Sequence, residues 1–442
     1  MADETRPTLV IRAARLLDGS GAPPVADGLV IVEGKHIRWA GAVAAAPEPY
    51  RRLAEGSDPL PPGVQRATYP TGTVLPGLID THTHFSLPAD GRRYEPVMDE
   101  PDGMHLLYGV RNARLHLEAG VTTARDLGAR NQIAFHLRAG QQQELFPGPR
   151  LIVSGRSITC TRGHFWFCGE EADGPDEVRR SVRRLVHQGA DVIKVMTTGG
   201  GTAGTVPWRA SYTTAELQAL VDEAHGLGRL VVAHCRGREG MERATTAGVD
   251  VMEHVEFLVQ DAPGEPARMA FDPRLAERLA AADIFLSPTI QAGGYQTVRH
   301  LRARLETGGP DALSDEEQQS LTNFEALVEQ RLEIVRQLLA MGLADHFITG
   351  SDSGPGLLTF GNLQTDLELL VQAGMTPAQV IASATSIAAR AVGLAHEIGR
   401  LRAELLADLL VVEGDPSADI GALRQVQAVY QQGRLAVNRA GD

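Results

Sequence analysis

The chain has 442 residues, 43% of them hydrophobic and 22% charged, and its 55 acidic against 42 basic side chains give a net charge of −13. So acidic a chain is poorly suited to nucleic acid or to an anionic membrane surface, and we expect neither as a partner. Its three cysteines form no C-x-x-C pair, its start MADETRPTLV lacks the pattern of a signal peptide, and no apolar run approaches the roughly 18–20 residues of a membrane span. These features predict a reduced, cytoplasmic protein.

The two ends of the chain are rich in short β-like runs. Residues 8–72 alternate such runs with turns and show no obvious helix, and residues 407–437 follow the same pattern. We expect residues 1–72 and 400–442 to form one small, sandwich-like β-domain built from both termini and packed beside the central part of the chain.

The central part alternates short apolar runs with helical patterns, such as GPDEVRRSVRRLVHQG and YTTAELQALVDEAHGLG. In the second pattern Thr213 or Thr214 is a plausible N-cap, with Glu216 behind it. Runs rich in Val, Ile, Leu and Thr are typical of parallel strands buried on both faces. In chain order the runs are 74–80, 121–127, 150–155, 191–196, 229–234, 249–254, 284–289 and 347–352. Eight such units predict an α/β chain whose residues 73–399 form a (β/α)8 TIM barrel. The alternative is an open doubly wound sheet, which the lack of a G-x-G-x-x-G fingerprint disfavours.

Ligand-type side chains recur at the carboxyl ends of these runs. His82 and His84 are two residues apart, so on a strand they point to the same face. His234, His254 and Asp352 end the fifth, sixth and eighth runs. A barrel gathers the carboxyl ends of its strands into one mouth. One such histidine is most often a core residue, but the set predicts a site for a Zn-type divalent ion.

Lys194 lies in the fourth run and points into the same barrel. The chain has only two lysines, Lys35 and Lys194, and its other basic residues are arginines. Burial lowers the pKa of a lysine, whereas arginine stays charged. A neutral lysine amine can react with CO2 to form a carbamate, a carboxylate that is able to bridge two metal ions. The alternative is a lysine that is ion-paired or reaches solvent.

Five motifs occur in this order along the chain: VLPGLIDTHTHF, DVIKVMTTGG, VVAHC, GVDVMEH and ITGSDSG. Together with MTPAQVIASATSIAARAVGL and ADLLVVEGDP, they resemble the amidohydrolase superfamily of metal-dependent hydrolases over nearly the whole chain. Lys194 and the loop SITCTRGHFWFCGEEADG resemble its imidazolonepropionase-like and prolidase-like branch, which contains peptidases, amidases and enzymes acting on carbamates or ureas. One departure is AELLADLL (403–410), where the family usually has Pro-Gly-Lys before the ADL motif.

The resemblance implies a (β/α)8 barrel with a flanking β-domain and a binuclear metal site. His82 and His84 would bind the first ion with Asp352. His234 and His254 would bind the second ion. Carbamylated Lys194 and a hydroxide would bridge the two, with zinc as the expected metal and manganese or cobalt as substitutes.

The expected reaction is hydrolysis of a C–N bond in an amide, dipeptide, carbamate or urea. Two ions about 3.5–4 Å apart activate water and polarise the scissile carbonyl, with Asp352 as the general base. The alternatives are a mononuclear deaminase or cyclic-amide (imidazolone-type) hydrolase, a lactonase or phosphotriesterase-type esterase, and a non-catalytic scaffold. Lys194 argues against a mononuclear enzyme, because a single metal ion needs no bridging carbamate.

The loops after the strands supply the substrate-binding candidates. His164 is able to donate a hydrogen bond to an oxyanion, with a loop-stabilising role as the alternative. Arg209 suits a substrate carboxylate, with a surface ion pair as the alternative. Trp166 either lines an aromatic pocket or packs the loops, and Tyr212 ends the fourth loop. We expect a small-molecule substrate and a homo-oligomer.

Overall fold

A computed structural model describes residues 8–56 and 60–439. Residues 1–7, where we expect no signal peptide, lie outside this part, as do residues 57–59 and 440–442 of the expected terminal domain. None of the helices in the described ranges is long and apolar enough to cross a membrane.

Strands and helices alternate through the middle of the described chain. The seventeen strands found there are β1 (Thr8–Leu16), β2 (Val25–Glu33), β3 (His36–Ala42), β4 (Val64–Pro76), β5 (Leu78–Thr83), β6 (Val121–Asp126), β7 (Arg150–Val153), β8 (Ile158–Thr159), β9 (Glu170–Glu171), β10 (Ile193–Met196), β11 (Val231–Gly237), β12 (Val251–Val259), β13 (Arg268–Met269), β14 (Phe285–Ser287), β15 (Leu409–Glu413), β16 (Val426–Gln431) and β17 (Arg434–Asn438). The thirteen α-helices of the same ranges are α1 (Glu48–Glu55), α2 (Tyr94–Met98), α3 (Asp102–Glu118), α4 (Ile133–Gln142), α5 (Gly174–His187), α6 (Thr214–Gly226), α7 (Arg238–Ala247), α8 (Pro273–Ala281), α9 (Tyr295–Gly308), α10 (Asp315–Ala340), α11 (Gln364–Gln372), α12 (Pro377–Ser383) and α13 (Ser386–Ala391).

Both ends of the chain contribute to one seven-stranded sheet, in the order β17-β16-β15-β4-β1-β2-β3. The strand β15 pairs antiparallel with β4, so residues more than 300 positions apart in the sequence share a ladder. A separate apolar cluster, which includes Ile11, Val30 and Val411, packs on this sheet. The segments before and after the central part therefore come together in one layer.

The central strands form two sheets that are mostly parallel. One has the order β5-β6-β7, and the other has the order β13-β12-β11-β10-β8-β9, with β14 beside β12. Several of the intervening helices, such as α3, α4, α6 and α7, pack against these strands, and the largest apolar cluster of the described residues contains side chains from both strands and helices. All residues of the parallel strands β6 and β10 are buried, as expected for strands covered on both faces, although β6 (VTTARD) is rich in threonine rather than in Ile and Leu.

The eighth expected strand, over residues 347–352, is not a regular strand in the structure. It makes isolated bridges instead: Phe347 pairs with Leu286 of β14, and the adjacent Ser353 pairs with Thr83 of β5. Backbone hydrogen bonds from Ile348 to Leu286 (2.9 Å) and from Asp352 to His82 (2.8 Å) support the same placement. This segment lies between β14 and β5, but no continuous closed ladder runs through the described residues.

Two other expectations differ from the structure. The first run, 74–80, is split at Gly77 between β4 of the terminal sheet and β5 of the central part. A Cβ at Gly77 would lie 2.2 Å from the Thr122 hydroxyl oxygen, so only glycine fits this close approach. The N-terminal segment also contains a helix, α1, which the alternation of β-like runs did not reveal. The N-cap of α6 is confirmed at Thr213, whose capping box with Glu216 is complete.

Candidate metal centre and substrate cavity

His82 and His84 leave the end of β5 on the same face, as their spacing predicts. Their Nε2 atoms both lie 3.4 Å from Oδ1 of Asp352. The other nitrogen of each ring, Nδ1, forms a hydrogen bond with the protein. Nδ1 of His82 donates to Glu253 (2.9 Å), and Nδ1 of His84 donates to the carbonyl oxygen of Gly128 (3.1 Å). Nε2 of each ring therefore faces the carboxylate and is the nitrogen that would ligate an ion.

His234 and His254 face each other across neighbouring strands, with ring centroids 4.5 Å apart. Nε2 of His234 donates to the carbonyl oxygen of Gly199 (3.1 Å), which leaves Nδ1 as its free nitrogen. Nδ1 of His254 bonds the Thr289 hydroxyl (2.7 Å), which leaves Nε2 free. Each of these rings also has one nitrogen fixed by the surrounding protein and one available to a ligand.

Asp352 lies in the irregular segment between β14 and β5. Its backbone N–H donates to the carbonyl oxygen of His82 (2.8 Å), which fixes it beside the first histidine pair. Burial alone would raise the pKa of the Asp352 carboxyl. The neighbouring charges of His82, His84 and Lys194 outweigh burial and lower this pKa to about 2. Asp352 is thus ionised at any ordinary pH.

Lys194 is fully buried on β10, next to β11. Among the described residues, its Nζ atom has no hydrogen-bond partner. Burial is the main reason that the pKa of Lys194 falls to about 8, although Glu253 and Asp352 oppose this shift. A sizeable fraction of this amine is therefore neutral near physiological pH.

Glu253 lies behind the cluster and is one residue that the sequence pattern did not mark. It is fully buried and accepts hydrogen bonds from His82 and from NH2 of Arg125 (3.3 Å). Burial raises the pKa of Glu253, but the charge of His82 and its hydrogen bond outweigh that effect, and the net pKa is about 2. A buried carboxylate behind a histidine fixes the ring tautomer and its orientation.

A cavity of about 240 Å³ opens over all six candidate ligands. His164 lines it as expected, and its ring lies 4.5 Å from that of His234. The Thr202 backbone N–H donates to Nδ1 of His164 (3.4 Å), so Nδ1 carries no hydrogen and also accepts from the Thr202 hydroxyl (2.8 Å). This network assigns the remaining hydrogen of His164 to Nε2. Burial lowers the pKa of His164 to about 3, so the ring is a neutral donor.

The structure does not bring the other three substrate-binding candidates into this cavity. Tyr212 is 2% exposed in the core, and its hydroxyl donates to the carbonyl oxygen of Ala172 (3.0 Å). Arg209 lies in a separate surface depression. Trp166 stacks under the Arg162 guanidinium, 3.9 Å from its ring centre. The sequence analysis predicted these residues at the mouth because they lie in long loops after the strands. In the structure their side chains pack against other residues or face solvent outside the cavity.

Two arginines that the sequence analysis did not single out do line the cavity. Arg236 follows His234 by two residues on β11, and Arg331 comes from α10. Both bond the buried carboxylate of Glu256. The pattern H-x-R at the end of the fifth run was the one sequence signal for Arg236, whereas α10 is too distant in sequence for any signal from Arg331.

The arrangement fits divalent metal ions. The ligand nitrogens or oxygens of His82, His254 and Asp352 all lie within 4.8 Å of one another. All four histidines have one nitrogen fixed from outside and one turned inward. The unpartnered amine of Lys194 lines the same cavity.

Comparisons with known proteins agree with this chemistry. Ochratoxinase from Aspergillus niger is 28% identical over an alignment that covers 97% of this chain and 85% of the relative. Its crystal structure superposes with a TM-score of 0.79, at 25% identity over 99% of this chain and 97% of that chain. A Xaa-Pro dipeptidase with methionine bound in its active site has the same TM-score, at 25% identity over 97% of this chain and 99% of that chain. The sequence pattern of the amidohydrolase family matches residues 73–436, and the chain belongs to that family.

Proposed function

We propose that this amidohydrolase is a binuclear metal-dependent enzyme that hydrolyses a C–N bond of a small molecule, in an amide, dipeptide, carbamate or urea. The observation that carries the proposal is the inward-facing ligand set. Four histidines present free nitrogens to a space that also holds ionised Asp352 and the unpartnered amine of Lys194. The similarity to a Xaa-Pro dipeptidase supports an amide as the scissile bond.

The proposed fold is a (β/α)8 barrel over 73–399, closed through the irregular segment that follows β14. The bridges on both sides of that segment support closure. The sheet built from both termini would be a second domain, of residues 1–72 and 400–442. In a barrel, the candidate ligands lie at the mouth where catalytic residues are expected.

We assign His82, His84 and Asp352 to one ion and His234 and His254 to the other, with carbamylated Lys194 between the two. Zinc is the expected metal, because imidazole and carboxylate ligands suit it, with manganese or cobalt as substitutes. When bound, such ions acidify water and polarise a carbonyl.

Side chains of the protein then transfer the proton and stabilise the developing negative charge. Asp352 is ionised and is the general base, which takes a proton from the attacking water and passes it to the leaving nitrogen. His164 is a neutral Nε2–H donor at the cavity wall and stabilises negative charge on the carbonyl oxygen. The Phe165 ring lines the cavity in a tilted contact with His84, with ring centroids 4.8 Å apart.

A second candidate is a mononuclear hydrolase of a cyclic amide. The tightest ligand group, which is His82, His254 and Asp352, is sufficient for one ion. An imidazolonepropionase from Aromatoleum aromaticum is 25% identical over 93% of this chain and 92% of the relative. Lys194 would then be a buried structural lysine.

Metal content and carbamylation separate the two candidates. The protein is prepared with 13C-bicarbonate, as wild type, as Lys194→Ala and as Lys35→Ala, the matched control at the only other lysine in the chain. The binuclear proposal expects two ions per chain and one carbamate carbon signal, both reduced in Lys194→Ala and unchanged in Lys35→Ala. Circular dichroism checks that each variant is folded. One ion per chain without a carbamate signal would favour the mononuclear enzyme.

A further inference from the structure

Arg236 is placed to contact whatever lies over the metal ligands. It lies two residues after His234 on β11, with the two Cα atoms ~6–7 Å apart. Both line the cavity. The pairing of β11 with β12 is irregular between Cys235 and Gly237, as is common where a strand end aims side chains into a site.

The hydrogen bonds of Arg236 leave the end of its guanidinium free. Nε donates to Oε2 of Glu256 (2.7 Å), and the backbone N–H donates to the Thr198 hydroxyl (3.2 Å). The two terminal nitrogens have no hydrogen-bond partner within residues 8–56 and 60–439. They form the end-on pair of donors that matches the two oxygens of a carboxylate.

Two guanidinium groups share one buried carboxylate beside the cavity. Glu256 is buried and accepts from Arg236 and also from Arg331, which is 4% exposed. The other acid whose charge reaches both arginines is Asp352, which we assign to a metal ion. Nε of Arg331 has no partner among the described residues either. An anionic group of a ligand would pair with these guanidinium groups in a partly desolvated place.

We propose that Arg236 binds a substrate carboxylate next to the scissile bond, held in place by Glu256 and Arg331. Arg236 and His234 line one cavity of about 240 Å³, so a carboxylate bound to Arg236 belongs to a substrate whose charged group lies near the scissile bond. The substrate class is therefore an N-acyl amino acid or a dipeptide with a free carboxylate, rather than a neutral carbamate or urea. Tyr94, Met196 and Leu358 line the same cavity and provide apolar surface for a side chain. This inference deepens the proposed function and rests on it.

The test measures binding, so that it does not depend on turnover. The probes are 3-phenylpropanoate and its neutral isostere 4-phenylbutan-2-one, neither of which has a C–N bond to cleave. Calorimetric titration of the metal-loaded protein compares wild type, Arg236→Met, Arg236→Lys and Arg209→Met. Arg209 is the matched control, because it is an exposed arginine outside the cavity.

We expect wild type to bind the carboxylate roughly 10- to 100-fold more tightly than the ketone, the range for a charge-assisted hydrogen bond. Arg236→Met should lose this preference while its affinity for the ketone stays within about 3-fold. Arg236→Lys should restore part of the preference, and Arg209→Met should keep all of it. Arg331 still pairs with Glu256 in each Arg236 variant, so the buried carboxylate is not left alone.

Two results would overturn the assignment. Equal binding of both probes to wild type would mean that the cavity does not select a carboxylate. A preference that survives Arg236→Met would mean that another group, such as the metal ions, binds the anion. By contrast, a wild-type enzyme that binds the carboxylate through Arg236 but cleaves no N-acyl amino acid or dipeptide would refute the proposed function alone.

Discussion

Replacing Glu253 with glutamine tests whether His82 is oriented for metal binding by the carboxylate behind it. In the structure Glu253 accepts from Nδ1 of His82 at 2.9 Å and from Arg125 at 3.3 Å, and all three side chains are buried. Glutamine keeps the shape of glutamate but not its charge. It removes the carboxylate that bonds the buried Arg125 guanidinium, leaving only the more distant charges of Asp80 and Asp250, and it removes the strong acceptor that fixes the His82 tautomer.

The size of both effects follows from this geometry. Removing one partner of a buried ion pair costs about 3–5 kcal/mol of folding stability. Removing the carboxylate behind a ligating histidine weakens metal binding about 10- to 100-fold, which corresponds to ~1.4–2.7 kcal/mol. We therefore expect Glu253→Gln to lower the unfolding temperature and also to weaken the binding of one ion.

Glu170→Gln is the matched control. Glu170 is also 1% exposed, and it accepts from Nε of Arg156 (2.8 Å) and of Arg184 (3.0 Å), away from the cavity. Glu170→Gln should lower the unfolding temperature but leave the zinc affinity unchanged. Thermal unfolding and zinc competition against a chelator of known affinity measure the two quantities. If both variants bound zinc as tightly as wild type, the assignment of His82 as a ligand oriented by Glu253 would be refuted.

Three further predictions concern single side chains. His164→Gln should lower kcat about 100-fold or more at an unchanged metal content, because it removes one donor to the carbonyl oxygen; a loss of metal would instead make His164 a ligand. Tyr212→Phe should cost about 1 kcal/mol of stability in urea unfolding and leave kcat/KM unchanged, since the hydroxyl bonds only Ala172; a large drop in activity would return Tyr212 to the substrate site. Burial raises the pKa of Asp366 to about 8, so the folded state keeps a proton that the unfolded chain loses near pH 4. The stability of Asp366→Asn relative to wild type should therefore rise between about pH 4 and 8, by at most ~1.4 kcal/mol per pH unit, and then stay constant; a difference that does not vary with pH would contradict the raised pKa.

Most strands of the central part could be predicted from the sequence, but the way in which the two central sheets join could not. Seven of the eight apolar runs correspond to strands of the central sheets, because burial on both faces requires continuous apolar sequence. The eighth run is irregular. Residues 347–352 contain Gly350 and Asp352 and bond to two different sheets, and a pattern of residue types carries no information on such bonding. The helix α1 was missed because it is short and exposed on most sides.

The candidate ligands could be identified for a simple reason, which is that each lies within an apolar run or at its end. The side chains that support them could not. Glu253 precedes His254, and nothing in the sequence distinguishes it from an ordinary strand residue. In the structure it bonds His82, which lies on a strand far away in the sequence. Arg236 and Arg331 meet only through Glu256. Such contacts depend on tertiary pairing, and the loop residues Arg209 and Tyr212 show that position in a long loop does not fix where a side chain points.

The backbone at the cavity explains why the location of the ligands is easier to predict than their orientation. His254, Thr289 and Asp352 all have positive φ, at 71°, 42° and 52°. Non-glycine residues in this region cost about 1–3 kcal/mol each, and they persist only where surrounding contacts hold them. Here the contacts are the His254–Thr289 hydrogen bond and the Asp352 N–H bond to His82. In a regular strand His254 and Asp352 would follow the alternation of their neighbours. The left-handed conformation turns them away from that alternation, and ligand atoms of His254 and Asp352 lie within 4.8 Å of each other. Part of the backbone strain therefore lies at two of the residues to which we assign the metal ions, and part lies nearby at Val255, Phe257 and Thr289.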